Sequence, residues 1–277
     1  MRARETILIA AREVRGAMRA RWFALAAGIF FVLSLGLSLF GLAGAERSGV
    51  AGFDRTTASL LNLALFFVPL LTLSLGGLGL SGEIEDGSLA TLLAQPVTRG
   101  EVYAGKYLGL LVSVSASILA GFGTTGIMIG VWAGGGNTPV YLALVGLTLL
   151  LAGTTLALGT LLSIALRSRP KVIGAVFFVW ILLVYVSDLG AIGLTIARHL
   201  EPLQLFVLAL LNPLQEARVL GVLALSHRLD VLGPVGIFGV DHFGTSGLAL
   251  LLIGALFVWT IVPLAAGYAL FRETPLS

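Results

Sequence analysis

The stretch GEIEDGSLATLLAQPVTRGEVYAGKYLG, residues 82–109, decides the fold class of this chain. It begins with an acidic run and ends with two basic residues, Arg99 and Lys106. The runs on either side, residues 56–82 and 107–166, carry no charged side chain. A short charged segment between two long apolar runs is typical of a loop that joins membrane-spanning helices.

The whole chain follows this pattern, because 57% of its residues are hydrophobic and only 11% are charged. Soluble domains average about 25% charged residues, and about 20 apolar residues in a helix cross a bilayer. The loop signal GGGNTP, residues 134–139, divides the longest apolar run in two. We therefore predict an all-α polytopic membrane protein, a single transmembrane domain over residues 1–277 with six spans: 22–43, 58–81, 107–131, 141–165, 173–197 and 247–270.

A basic amphipathic helix is predicted ahead of the first span, at residues 4–20. Such a helix lies in the membrane interface, and a sharper hypothesis has it also flank a partner subunit below the membrane. The first span is longer than the apolar region of a signal peptide, so we expect it to be retained. The apolar stripe of the helix comprises Ile7, Leu8, Ala11, Val14 and Met18, and its basic residues are Arg4, Arg12, Arg15 and Arg19.

The distribution of basic residues predicts the orientation of the chain. With six spans, 12 of the 17 Lys and Arg residues fall on one side of the membrane. Because basic residues favour the cytoplasmic side, both termini and residues 82–106 are expected in the cytoplasm. Residues 198–246 are then expected on the periplasmic side of a bacterial or archaeal inner membrane. The basic residues lie where a membrane protein places them, so no nucleic-acid partner is expected.

Part of the opening stretch matches a phosphate-binding loop, because Gly100, Gly105 and Lys106 have the spacing G-x-x-x-x-G-K-[ST]. However, Tyr107 stands where a Ser or Thr would hold the magnesium ion. Such a loop also follows a buried strand, whereas here Pro96 precedes it and a membrane span follows. We therefore expect no nucleotide site in this chain.

Residues 82–106 carry more structure than a connector between two spans needs. Gly87 and Ser88 provide a turn and an N-cap, and a short helix, LATLLAQ, is stopped by Pro96. Thr98 and Glu101 have the spacing of a capping box at the start of the next helix. We interpret this segment as a docking surface for a partner, the alternative being an ordinary polar connector.

The outer segment is less regular. Residues 203–211 are apolar but too short to span, which favours a re-entrant or interfacial helix. Asn212 is placed to cap the helix that follows, with Pro213 at its first position. His227 and His242 are candidate metal ligands, but surface histidines are the favoured interpretation. The chain has no Cys and three Met, a poor supply for a soft copper site, so no metal or cofactor is predicted.

Two further features of the spans leave alternatives open. Asp188 either lines a translocation path or subunit interface, or lies near the outer boundary where water or Arg198 satisfies it. The second feature is glycine pairs at four-residue spacing, which favour close helix packing. These pairs include Gly105 with Gly109 and Gly126 with Gly130.

The opening motif resembles that of the ABC-2 type permeases, which have a type V exporter-like architecture. The matching positions are Glu85, Gly87, Leu92, Pro96, Arg99, Gly105 and Lys106. Within that family, three runs are similar to the NosY-type permeases of transporters for nitrous oxide reductase maturation. They are REVRGAMRARW, FFVWILLVYVSDL and LALLNPLQEARVL.

The resemblance implies a homodimeric permease that is not an enzyme and that pairs with two copies of a cytoplasmic ABC ATPase. It also implies a periplasmic, copper-binding, β-helical partner and a role in assembling a copper–sulfur centre, by export of a sulfur species or by mechanical coupling. The residues expected to couple to the ATPase are Glu83, Glu85, Asp86, Gly87, Pro96, Arg99, Glu101 and Lys106. Contact with the periplasmic partner is expected at Asn212, Pro213, Glu216 and Arg218.

Two other functions stay open at this point. A generic ABC-2 exporter of a drug, lipid or glycan would have the same spans and the same coupling segment. A stand-alone secondary carrier is disfavoured, because that class has repeated halves and several buried charges. Asp188 is the one charge within residues 172–197.

Overall fold

The computed structural model describes residues 3–48, 52–133, 138–186, 201–225 and 233–273, and every regular element in these ranges is helical. Five helices form the N-terminal half: α1 (Ala3–Arg19), α2 (Arg21–Ser48), α3 (Gly52–Glu85), α4 (Ser88–Leu93) and α5 (Arg99–Ala133). The remainder comprises α6 (Thr138–Leu166), α7 (Arg169–Ile181), a π-helical turn (Leu182–Val186), α8 (Pro202–Leu210), α9 (Pro213–Leu225) and α10 (Gly233–Glu273).

Five of the six predicted spans lie within helices that are long and apolar enough to cross a membrane: α2, α3, α5, α6 and α10. The last of these is broken at Gly244, whose φ of 69° is left-handed, and the predicted span 247–270 is the part that follows. The other predicted span, 173–197, begins in α7 and continues through the π-helical turn, while its remainder lies outside the described residues.

The centre of the molecule is the crossing of α3 and α6, where glycines let the two backbones meet. A Cβ on Gly76 would lie 2.6 Å from the carbonyl oxygen of Leu156. Polar side chains then bond across the contact, since Thr72 and Thr155 are joined by a 2.6 Å hydrogen bond between their hydroxyls. Small residues with interhelical hydrogen bonds are how helices associate in lipid, where burial of apolar surface gives little gain.

Helix α1 packs along α5 through the first predicted glycine pair. A Cβ on Gly105 would lie 2.8 Å from Cβ of Ile9, and one on Gly109 would lie 2.6 Å from the carbonyl oxygen of Ala10. This pair therefore confirms the predicted close packing. In the second pair, Gly126 similarly approaches the ring of Tyr141, but Gly130 has nothing within 4 Å.

Helices α8 and α9 form a sharply bent pair, with an angle of 110° between them. The amide of Leu214 donates to Oδ1 of Asn212 at 2.9 Å, which confirms the predicted cap, and Pro213 is the first residue of α9. The indole of Trp259 donates to the carbonyl oxygen of Leu210 at 3.1 Å and so satisfies the end of α8. This geometry agrees with a broken or re-entrant helix pair.

Candidate coupling site

The coupling segment, residues 82–106, folds as a short helix between two long ones. α3 ends at Glu85, and Gly87 adopts a left-handed φ of 71° that turns the chain into α4. Leu89 and Leu92 point inward and are buried. The outer face of α4 and of the residues after it is exposed at Ala90, Thr91, Ala94 and Gln95. The segment therefore presents an exposed face of small and polar side chains.

The start of α5 has the predicted capping box. The amide of Thr98 donates to Oε2 of Glu101 at 2.9 Å, and the amide of Glu101 donates to the Thr98 hydroxyl at 3.3 Å. α5 runs without a break from Arg99, so Gly100 and Gly105 are helical. No glycine nest for a phosphate exists at this position.

Lys106 joins three helices at the base of the segment. Its ammonium donates to Oε2 of Glu13 on α1 at 3.0 Å and to Oε1 of Glu83 on α3 at 2.8 Å. The Lys106 side chain is only 3% exposed, so both bonds are shielded from water. Glu13 was not among the predicted site residues, although an acidic residue on a basic helix is a signal that could have indicated it.

The acidic end of α3 holds the start of α7. Oε2 of Glu85 accepts a 2.7 Å hydrogen bond from the backbone amide of Arg169, one of the free amides at that helix start. The guanidinium of Arg169 also pairs with the carboxylate of Asp86. Both groups of the Arg169–Asp86 pair are about half exposed, so salt screens this link.

Arg99 links the segment to the far end of the chain. Its guanidinium donates to the carbonyl oxygens of Phe271 at 2.7 Å and Arg272 at 3.0 Å, in the last turn of α10. One turn further into α5, the Tyr103 hydroxyl donates to the carbonyl oxygen of Leu264 on the same helix at 3.0 Å. A cation at the C-terminus of a helix also complements the helix dipole.

The eight predicted coupling residues therefore fall into three groups by exposure. Glu85, Asp86, Gly87 and Pro96 are exposed, and a partner can touch them directly. Glu101 and Lys106 are buried, at 3% and 2% exposure, so a partner cannot touch them directly in this conformation. The two partly exposed residues are Glu83 and Arg99.

The predicted periplasmic contacts are mostly covered by the chain itself. Asn212, Pro213 and Glu216 are buried within the helix bundle, and Arg218 is partly exposed. A side chain that caps its own helix or lies in the core cannot meet a partner without movement of the backbone. Contact with a partner stays a prediction for all four residues, and Arg218 is the one that is partly exposed in this conformation.

Glu216 is the least ordinary of these residues. It is fully buried, and neither carboxylate oxygen has a hydrogen-bond partner within the described part of the chain. A charged carboxylate without a partner is costly in such surroundings.

The remaining candidates do not form a metal centre in the described residues. Asp188 and His227 lie outside those residues. The ring of His242 stacks on Phe238, with 4.0 Å between ring centroids, and its Nδ1 is 2.9 Å from the Phe238 carbonyl oxygen. No group of three or more potential ligands occurs in the described ranges.

Long apolar helices, small-residue contacts between them and one folded polar segment define an integral membrane protein with several spanning helices. The particular family follows from comparison with known sequences. The family model for ABC-2 family transporter proteins matches residues 7–275, and the chain belongs to that family.

Two relatives cover nearly the full length of the chain. A protein of Pseudomonas aeruginosa named "Probable ABC transporter permease protein NosY" is 31% identical over 275 residues, 97% of this chain and 98% of the relative. A protein of the same name from Stutzerimonas stutzeri is 30% identical over 271 residues, 96% of this chain and 97% of the relative. The chain is thus a permease of the ABC-2 family, similar to NosY-named proteins.

Proposed function

We propose that the exposed face of the coupling segment docks on a separate cytoplasmic ABC ATPase subunit and receives its movement. The observation that carries this proposal is the set of links made by one segment. Lys106 reaches α1 and α3, Arg169 ties α7 to Glu85 and Asp86, and Arg99 reaches the end of α10. A displacement of the segment therefore acts on four helices together.

The complex that fits this mechanism has two copies of the permease and two of the ATPase. ATP binding closes the ATPase dimer and displaces the two coupling segments, and the linked spans then tilt. The polar groups that set the register of docking are those of the exposed residues Glu85, Asp86 and Thr91. Movement of α3 then reaches α9, because the two helices are in close contact. A Cβ added to Gly221 of α9 would lie only 2.6 Å from the side chain of Leu61 on α3.

A matched pair of substitutions tests the docking face. Thr91 is exposed on α4, and Thr245 is exposed beside the break in α10. We expect Thr91→Arg to abolish co-purification of the permease with its ATPase subunit, because a bulky cation would lie inside a close contact. Thr245→Arg should leave co-purification unchanged. Equal recovery of the ATPase with both variants would show that the segment is not the docking surface.

We further propose that this coupling serves maturation of nitrous oxide reductase. Its support is the resemblance to the NosY-type permeases together with the full-length similarity to NosY-named relatives. In this role, the outer side of the permease acts on a periplasmic copper-binding partner, or exports a sulfur species, during assembly of the copper–sulfur centre.

Complementation tests that role apart from ATPase coupling. A denitrifying bacterium that lacks its own NosY-type permease is supplied with this chain, and the copper–sulfur centre of its purified reductase is followed by visible absorption. We expect the chain to restore the absorption and Thr91→Arg to fail. A chain that binds the ATPase subunit of that host but restores no absorption would be an exporter of another substrate.

A further inference from the structure

A polar groove of about 640 Å³ lies between α1 and the end of α3, and none of its lining residues belongs to α4. Three of its six lining residues are arginines on α1, namely Arg12, Arg15 and Arg19. At about 100° per residue, these three positions fall within about 60° of one another around the helix axis. They therefore form one continuous basic edge along the groove.

The acidic residues of the groove are already paired elsewhere. Both Glu13 and Glu83 bond to Lys106. None of the three arginines has an ion pair within the described part of the chain, and Nε of Arg15 donates to the Ala11 carbonyl oxygen of its own helix. The three guanidinium groups are exposed and available to an external anion.

The arginines also have a defined position relative to the membrane. On one side of this basic edge, α1 packs on α5 at Ile9, which is 8% exposed and lies against Gly105, and Ala17 is buried to the same extent. The predicted apolar stripe remains open, with Ile7 at 65% and Met18 at 56% exposure. The basic edge lies between these two faces, so it borders the surface that meets lipid.

The depth of the groove fits a lipid headgroup. Arg19 ends α1, and the first spanning helix begins two residues later, at Arg21. Trp22 follows at 42% exposure, a residue type enriched at the membrane interface. On the other wall, Glu83 lies two residues before the end of α3. Both walls are therefore at the edge of the bilayer.

We propose that this groove binds the phosphodiester headgroup of an anionic phospholipid, such as phosphatidylglycerol, and that the bound lipid fixes α1 against the coupling segment. Three guanidinium groups on one edge provide several charge-assisted hydrogen bonds to phosphate oxygens. The site does not depend on the proposed maturation role or on the identity of the transported substrate.

Lipid retention by the purified full-length chain tests the site. The protein in neutral detergent is given equal amounts of phosphatidylglycerol and phosphatidylcholine, and bound lipid is counted by native mass spectrometry. We expect a preference for phosphatidylglycerol of roughly a hundredfold, since three basic residues near a membrane surface each contribute about 1 kcal/mol toward anionic lipid and about 1.4 kcal/mol corresponds to tenfold. The variant Arg12→Gln/Arg15→Gln/Arg19→Gln should lose that preference.

The matched control removes the same number of charges from other exposed positions on the same side. It is Arg167→Gln/Lys171→Gln/Arg272→Gln, and it should keep the preference. Equal loss in both variants, or no loss in the first, would overturn the lipid site. Displacement of the lipid by excess inorganic phosphate would indicate a free-phosphate site instead. Unchanged lipid retention with loss of ATPase co-purification would assign the arginines to the partner subunit.

Discussion

At the scale of single residues, Lys106 has the largest predicted effect on stability. Its ammonium is almost fully enclosed and pairs with two carboxylates from different helices. Removing one member of a buried ionic group costs about 3–5 kcal/mol, because the remaining charges lose their compensation. We therefore predict that Lys106→Met lowers the stability of the purified chain by roughly 3 kcal/mol. The measurement is the thermal transition in detergent. The folded fraction that remains after heating is monitored by size-exclusion chromatography.

The control for this prediction removes the charges together. In Glu13→Gln/Glu83→Gln/Lys106→Met no uncompensated charge remains, so most of the lost stability should return. A triple variant as unstable as Lys106→Met alone would mean that packing of the lysine chain, and not charge, causes the loss. If Lys106→Met melts like the native chain, the ionic group contributes nothing to stability.

At the scale of helices, the contact of α3 with α6 depends on glycines that accept no side chain. A Cβ on Gly159 would lie 2.5 Å from the carbonyl oxygen of Leu73, which is backbone and has no rotamer to change. We predict that Gly159→Ala destabilises the chain by about 1–3 kcal/mol, the usual cost of overpacking a core. The same thermal assay in detergent measures the effect.

The matched control lies in the same helix. Gly146 has nothing within 4 Å of an added Cβ, so Gly146→Ala should be neutral or stabilising by up to about 1 kcal/mol, the helix propensity gain. Equal effects of the two alanines would mean that helix propensity dominates and that the close contact of α3 with α6 has no energetic weight.

The same scale shows what the sequence could predict. Charge-free runs indicate helices, because backbone groups in lipid can form hydrogen bonds only with each other. Five predicted spans accordingly agree with long apolar helices. The capping box at Thr98 and Glu101 was also predictable, since both partners lie within one turn. These predictions of spans and of the capping box therefore rest on patterns between residues that are close in the sequence.

Pairings between distant helices could not be predicted in this way. Asp86 and its partner Arg169 are separated by 83 positions in the sequence, and Glu13 and its partner Lys106 by 93 positions. Composition indicates a docking segment but does not distinguish side chains that face a partner from those that face another helix. The structure shows that the side chains of Glu101, Lys106 and Glu216 are buried, which composition alone did not indicate.

At the scale of the whole molecule, the orientation of the chain decides whether the docking face meets an ATPase at all. The asymmetry of Lys and Arg predicts a cytoplasmic coupling segment and a periplasmic break at Gly244. The chain has no cysteine, so a single introduced thiol reports its own side of the membrane. Thr91 and Thr245 are exposed and lie near these two features.

We therefore predict opposite labelling of Thr91→Cys and Thr245→Cys by a maleimide that cannot cross the membrane. In intact cells stripped of their outer membrane, Thr245→Cys should react fully, and Thr91→Cys should react only after the inner membrane is permeabilised. Reaction of both thiols in denaturant controls for expression and thiol reactivity. The reverse pattern would put the coupling segment outside the cell, where no ATP-driven subunit could reach it, and would contradict the docking proposal together with the predicted topology.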